Sequence, residues 1–188
     1  MSNGRQIKLS FIQRLFGHLK TVHTHRAMVR KNCFACGLYR QGLTHDLSKY
    51  SPSEFWPSVK YYQGYRSPYA YEKELKGYSP GWLHHKGHNR HHWEYWYDTI
   101  NGVFQPIEMP YRYLVEMVCD RVAASHTYLK EHYTSSSALE YYLNKKESGY
   151  MHPNTQKELE KILRMIAEDG EAAVFARLKT SIQNNQPL

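Results

Sequence analysis

The sequence lacks any apolar run long enough to predict a membrane-spanning helix. No stretch approaches the roughly 18 consecutive apolar residues that a membrane-spanning helix needs. The first residues, Met1 to Gln6, are polar and lack the apolar core and small-residue cleavage site of a secretory signal peptide. We therefore expect a cytoplasmic protein with no membrane partner.

Cysteine is scarce, with three residues in a chain of 188. Such usage fits a reducing compartment, where structural disulfides are rare. Cys33 and Cys36 form a C-x-x-C pair, but a second pair is missing, so the chain alone does not provide a four-cysteine zinc site. We expect Cys33 and Cys36 to be ordinary packing residues, with a redox or metal role as the alternative.

Acidic residues are also in the minority, because 17 Asp and Glu stand against 25 Lys and Arg, for a formal net charge of +8. A basic surface favours anionic partners, although a general solubility charge produces the same composition. No dense block of Lys and Arg marks a nucleic-acid-binding arm. We therefore favour a small-molecule phosphate ester or nucleotide over nucleic acid as the partner. Homo-oligomerisation stays open.

Apolar residues recur mostly at three- and four-residue spacing, which predicts helices. The longest should run from about Ile7 to Cys36, with Gly37 as its C-cap. Ser51-Pro52-Ser53-Glu54 predicts another helix start, in which Ser51 caps and Glu54 closes a capping box. Further helices are expected at about residues 38–50, 51–62, 110–132, 139–143, 153–170 and 174–182. A weaker helix should follow the loop at 63–68 and end at about residue 75. Another should start at Ser79-Pro80, break or bend at residues 86–90 and resume over 91–97, with a loop at 102–109. No alternating strand pattern is apparent, so the predicted fold class is all-α.

The His45-Asp46 pair places an imidazole nitrogen and a carboxylate oxygen at one point of the chain. This mixed donor set suits divalent ions such as Mn, Fe, Zn or Co. Lys49 lies within one helical turn of both residues, so its ammonium can reach the same side. Asp120 lies in an otherwise apolar helical segment and needs a partner, because burying a lone charge is costly. Its alternatives are a structural salt bridge or a surface position.

A second concentration of donors follows further along the chain. Five imidazoles lie within nine residues, at His84, His85, His88, His91 and His92. Neutral imidazoles are common metal ligands, and protonated ones would repel each other, so a bound ion is the natural partner. The alternative is an exposed basic loop that contacts phosphate.

The order of these residues resembles the HD-domain superfamily of metal-dependent phosphohydrolases, whose pattern is H…HD…D on an all-helical core. His45-Asp46-Leu47-Ser48-Lys49 is similar to its HD-x-x-K form, and residues 85–96 look like an uncharacterised bacterial branch. The resemblance extends over about residues 8–125. It implies an HD-like bundle, with residues 1–132 as the metal-binding core and 133–188 as a C-terminal helical extension packed on the same domain.

The resemblance also implies one or two divalent ions (Mn, Fe, Zn, Co, Ni or Mg). The implied ligands are His18, His45, Asp46 and Asp120, with Asp46 bridging to a second ion held by His85 and His91 or His92. His25 is the alternate to His18, because each heads an H-x-x-x-V segment, and His84 is a further alternate. Asp46 and Lys49 are implied as catalytic. Lys86, Arg90 and Arg121 are expected to neutralise substrate phosphate.

The implied activity is hydrolysis of a phosphate ester or nucleotide by metal-activated water, in class EC 3.1. Three other functions remain open. The chain could be a diiron oxygenase on the same scaffold, or a non-enzymatic module that holds nucleic acid or another anion through its basic, His-rich loop. It could also be a structural protein that a metal stabilises. Aromatic residues near 61–62 and 93–96 offer faces for stacking a base, although most aromatics at helical spacing are core residues.

Overall fold

Helices make up most of the described residues, 9–145 and 147–188, in a computed structural model. The α-helices are α1 (Phe11–Ala35), α2 (Tyr39–Thr44), α3 (Pro52–Tyr61), α4 (Pro68–Lys76), α5 (Pro80–His88), α6 (Tyr111–Leu129), α7 (Ser137–Asn144), α8 (Pro153–Asp169) and α9 (Glu171–Asn184). Short 3-10 helices occupy Leu47–Tyr50, Trp93–Tyr95, Lys130–His132 and Glu147–Tyr150. The strands are β1 (Tyr97–Ile100) and β2 (Val103–Pro106). The all-α prediction is confirmed, with this one small sheet added.

Helix α1 is the longest element and carries the first candidate ligands. Its predicted start near Ile7 lies outside the described residues, within which the helix begins at Phe11. Its predicted end is confirmed, because Gly37 takes a left-handed conformation with φ of +78°. The N–H of Leu38 donates to the carbonyl of Cys33 at 2.8 Å, which is the six-to-one bond of a Schellman motif. The chain therefore reverses sharply into α2.

The predicted helix over residues 38–50 is wrong, because it breaks at the His45-Asp46 pair. Helix α2 ends at Thr44, and the following 3-10 helix begins at Leu47. Between them, Asp46 has φ of +54° and ψ of +28°. Asp tolerates this left-handed conformation better than most residues. Because His45 and Asp46 lie outside both helices, the directions of their side chains do not follow helical geometry.

The predicted capping box at the start of α3 is also wrong. Ser51 precedes the helix in extended conformation, but its side chain makes no cap hydrogen bond. Glu54 is fully buried and directs its carboxylate to histidines of α5 rather than back to the helix end. The acidic residue of the predicted cap thus belongs to the candidate site.

The segment from His91 to Met109 differs most from its prediction. A resumed helix was expected over residues 91–97 and a loop over 102–109, but β1 and β2 pair antiparallel, with Ile100 opposite Val103. Asn101 and Gly102 form the turn, with φ of +52° and +79°. Two consecutive positive φ angles are typical of the type I′ turn that two-residue hairpins prefer.

The core is built by helices from both ends of the chain. Buried side chains of α1 and α6 pack with Leu159, Ile162 and Leu163 of α8 and with Val174 and Leu178 of α9. Cys33, Cys36 and Cys119 are free, fully buried thiols in this core.

Among the described residues, no helix combines the length and the apolar composition needed to cross a membrane.

Candidate metal centre

Four parts of the fold bring imidazole and carboxylate groups to one buried point. Helix α1 provides His25, the turn after α2 provides His45 and Asp46, and α6 provides Asp120. Helix α5 and the loop after it provide the remaining three, His85, His91 and His92. These residues form three overlapping groups in which the potential ligand atoms lie within 4.8 Å of one another.

The first group surrounds one oxygen of Asp46. The Nε2 atoms of His45 and His25 lie 3.4 and 4.0 Å from Asp46 Oδ2. Asp120 belongs to the third group, with His45 and His91. It adjoins the first group, since its Oδ1 atom lies 2.9 Å from His25 Nε2 and 3.6 Å from His45 Nε2. The first group and Asp120 together offer two imidazole nitrogens and two carboxylates.

The second group surrounds the other oxygen of the same carboxylate. Asp46 Oδ1 lies 3.4 Å from His85 Nε2 and 3.5 Å from His91 Nε2. His92 completes this group. Because each oxygen of Asp46 faces a different set of histidines, its carboxylate bridges the two groups.

Several of these atoms are buried without a hydrogen-bond partner among the described residues. They are His45 Nε2, His91 Nε2, His92 Nε2 and Asp46 Oδ1. Buried polar atoms normally have partners, so four orphans at one point need an explanation. The contacts of 3.4 Å or more between them are too long for good hydrogen bonds. Ligand atoms about 2.1 Å from one ion, however, lie about 3.0–3.5 Å apart, so the donor set fits a metal ion.

Two glutamates behind the histidines orient the rings. Glu116 Oε1 lies 2.9 Å from His45 Nδ1 and 3.3 Å from His91 Nδ1. Glu54 Oε2 lies 2.7 Å from His85 Nδ1. An Nδ1–H that donates to a carboxylate leaves the Nε2 lone pair free for a metal, which is the usual arrangement around metal-bound histidine. All three Nε2 atoms point into the centre.

Sequence reasoning missed both glutamates. Glu116 precedes Asp120 by one helical turn on α6, so a search for acidic residues on the face of Asp120 finds it. Glu54 carried no such signal, because its position in the sequence also fits a helix cap.

The centre carries a net negative charge when its imidazoles are neutral. Asp46, Asp120, Glu54 and Glu116 contribute four carboxylates, and Lys49 contributes one ammonium at 2.6 Å from Asp46 Oδ2. With neutral imidazoles, the form that binds a metal, the net charge is −3. Without a metal, burial lowers the pKa of His45, but Asp46, Asp120 and Glu116 raise it well above its usual range, so a proton on His45 offsets part of this charge. Burial alone raises the pKa of Asp46, but the neighbouring charges of His45 and Lys49 hold it well below its usual range. A bound cation in place of that proton would balance the buried carboxylates.

Comparison with known proteins gives a family but no activity. Residues 14–165 match a family described as a family of unknown function, DUF5662. The chain belongs to this family. The matched segment includes every candidate ligand, so the centre lies within the part that DUF5662 shares. No curated protein and no solved structure matches the chain.

Two adjoining cavities open beside the centre of this DUF5662 protein. The inner one, of about 220 Å³, is lined by His25, Asp46, Lys49, His85 and Asp120, among others. The outer one, of about 500 Å³, has aromatic walls, formed by Tyr65, Trp82, Trp93, Tyr128 and Tyr141. Arg66, Trp82 and Asp120 line both cavities, so the two spaces meet beside the centre.

Other predicted ligands lie outside the groups. His18 lines the inner cavity, where its ring packs against Phe55 and Tyr62, and burial lowers its pKa to about 4. His25 occupies the place predicted for His18. His84 Nδ1 lies 2.8 Å from Glu54 Oε1, and His85 contacts the other oxygen of the same carboxylate.

The residues predicted to bind phosphate are dispersed. Lys86 and Arg90 line neither cavity, and Arg90 donates to Tyr113 Oη at 3.1 Å. Arg121 lines the outer cavity only. Arg66, which the sequence did not single out, is the arginine that lines both cavities.

Proposed function

We propose that the protein is a metal-dependent phosphohydrolase that acts on a phosphate ester or nucleotide. The observation that carries this proposal is the convergence of buried, unpartnered donor atoms on a carboxylate that faces two donor sets. The order of those residues resembles the H…HD…D pattern of the HD-domain superfamily, with His25 in the first position. The shared fold class and the adjoining cavities support the same proposal.

Two sets of residues would hold two divalent ions. The first set is His25, His45, Asp46 and Asp120, and the second is Asp46, His85, His91 and His92. Imidazole-rich sets suit Mn, Fe, Co, Ni or Zn better than Mg, which prefers oxygen ligands. A divalent ion supplies Lewis-acid chemistry, since it lowers the pKa of water and withdraws charge from a phosphoryl oxygen.

The chain's own residues would bind the phosphate and balance charge. Two divalent ions change the charge of the centre from −3 to +1, which attracts an anion. Lys49 borders the inner cavity beside Asp46, where its ammonium stabilises negative charge. Burial alone lowers the pKa of Lys49, but Asp46 raises it above its usual range, so the side chain stays charged. Arg66 lies at the junction of the cavities, where its guanidinium pairs with Glu74 at 2.6 Å and would be shared with a bound anion.

The outer cavity supports a substrate with a planar group. Its aromatic walls, Tyr65, Trp82, Trp93, Tyr128 and Tyr141, would contact a nucleobase. A nucleotide would therefore place its phosphate at the centre and its base in the outer cavity.

The direct test combines metal analysis with a substrate screen. The purified protein is expected to bind Mn, Fe, Co, Ni or Zn and to hydrolyse p-nitrophenyl phosphate, nucleotides or cyclic dinucleotides in a metal-dependent way. Asp46→Ala and Asp120→Asn should lose metal and turnover. His88→Gln is the matched control, because His88 belongs to the same His-rich segment but is exposed and outside the groups. Protein that binds no metal and shows no stimulated turnover would refute the proposal.

A diiron oxygenase is the second candidate, because the same imidazole-rich donor set suits a pair of iron ions. Oxygen uptake and an electron paramagnetic resonance signal from a mixed-valent iron pair would favour it over hydrolysis. A binding module that uses an exposed His-rich loop has less support, since His85 and His91 are each only 2% exposed.

A further inference from the structure

Arg26, which follows the candidate ligand His25 on α1, contacts the backbone that carries the other two ligands of the first group. Its Nε atom donates to the carbonyl of His45 at 2.8 Å, and its Nη2 atom donates to the carbonyl of Leu43 at 3.2 Å. Its Nη1 atom donates to Tyr50 Oη at 3.1 Å. One guanidinium thus joins α1 to both ends of the turn that contains Asp46.

This turn needs such a contact because its own hydrogen bonding is interrupted. Helix α2 ends at Thr44, and carbonyls in the last turn of a helix have no donor within that helix. The left-handed conformation of Asp46 prevents the helix from continuing. Arg26 supplies donors to two carbonyls on either side of Thr44. The planar fork of arginine satisfies two acceptors in a fixed geometry, which the single ammonium of lysine does not reproduce.

The tyrosine beyond the turn holds the guanidinium in place. The Arg26 guanidinium lies 5.2 Å from the centre of the Tyr50 ring, and His23 of α1 lies 5.8 Å from the same ring. Tyr50 therefore packs on α1 from the far end of the 3-10 helix that follows Asp46. The segment from Leu43 to Tyr50 is held against α1 at both ends.

We propose that Arg26 is a positioning residue that fixes the His45-Asp46 turn against α1, so that His25, His45 and Asp46 face one ion. The inference rests on the proposed metal centre. Arg26 is not placed among the ligands or the cavity walls; it acts through the backbone of His45.

The test measures metal affinity and ligand geometry rather than turnover. Arg26→Gln is expected to weaken Co²⁺ and Mn²⁺ binding about 10- to 100-fold, which is the usual effect of losing an outer contact to a metal ligand. The absorption spectrum of the Co²⁺-loaded protein should change, because the ligands of the first ion are less well fixed. Arg26→Lys should show an intermediate loss, since it retains a single donor group.

The matched control is Arg30→Gln, one helical turn further along α1 on an exposed position. It should keep wild-type affinity and spectrum. Wild-type affinity in Arg26→Gln overturns the inference. If that variant does not fold by circular dichroism, Arg26→Lys decides, and wild-type affinity there overturns the inference equally. Failure of the wild-type protein to bind Co²⁺ or Mn²⁺ would instead refute the proposed function, so the two failures are distinguishable.

Discussion

Glu116 offers the sharpest test of whether the buried histidines are metal ligands. Glu116→Gln keeps the size of the side chain and one oxygen that accepts from His45 and His91, but it removes the negative charge behind both rings. Losing such an outer carboxylate typically costs 10- to 100-fold in metal affinity. At 1.4 kcal/mol per factor of ten, this corresponds to about 1.4–2.8 kcal/mol of binding free energy.

The measurement is a competition titration of Mn²⁺ or Co²⁺ against a chromophoric chelator at pH 7. Glu131→Gln is the matched control, because the side chain of Glu131 is 76% exposed and lies beside His132 rather than near the centre. It should bind metal as wild-type does. Asp120→Asn, which alters a proposed ligand, should lose more affinity than Glu116→Gln. Wild-type affinity in Glu116→Gln, in a protein whose binding depends on Asp120, would show that the charge of Glu116 does not support the ligands and would refute this reasoning.

Three further predictions concern the protein around the centre. The three thiols, Cys33, Cys36 and Cys119, should not react with a thiol reagent in the native state and should all react in denaturant, because all three are fully buried. Burial also raises the pKa of Cys119 well above its usual range. Rapid native labelling would contradict this. In metal-free protein, the lowered pKa of His18 means that the unfolded chain binds a proton first. The contribution of His18 to stability is therefore intact above pH 6.5 and falls as the pH drops towards 4, by about 2 kcal/mol at pH 5. Urea unfolding at pH 7.5 and 5 should show this loss, reduced in His18→Phe, and an equal loss in that variant would assign it to other groups. Gly102→Ala should cost about 1–2 kcal/mol, because the hairpin turn holds Gly102 at φ of +79°; an unchanged melting temperature would contradict it.

Periodicity predicted much of the helical fold because the interior selects apolar residues at helical spacing. The ends of α1 and α8 followed from local signals at Gly37 and Gly170, which need no tertiary information. The hairpin was missed although its signal is present, since Asn101-Gly102 between apolar β-formers is typical of a two-residue hairpin turn. Trp93, Trp96 and Tyr97 lie at three- and four-residue spacing, which also fits a helix.

The choice between His18 and His25 could not be made from the sequence. Both head the same H-x-x-x-V pattern, and residues seven apart on a helix lie on nearly the same face, about 10.5 Å apart along the axis. Which of them faces Asp120 depends on the position along α1 at which α6 packs against it. That position is set by contacts between segments that are distant in the sequence. In the structure, His25 Nε2 lies 2.9 Å from Asp120 Oδ1. His18 lies on the same face, away from the ligands, in the wall of the inner cavity.

The unusual backbone at Asp46 links the fold to the proposed chemistry. A left-handed conformation costs most L residues roughly 1–2 kcal/mol, and Asp is among those that tolerate it better. It persists at a single position where the surroundings determine it. Lys49 pairs with the side chain of Asp46, and Arg26 donates to the carbonyl of His45 immediately before it. A continuous helix would place His45 and Asp46 about 100° apart around its axis and direct their side chains differently. The break instead brings His45 Nε2 to one oxygen of Asp46 and leaves the other oxygen facing His85 and His91. The left-handed conformation of Asp46 is therefore what allows one carboxylate to face both donor sets.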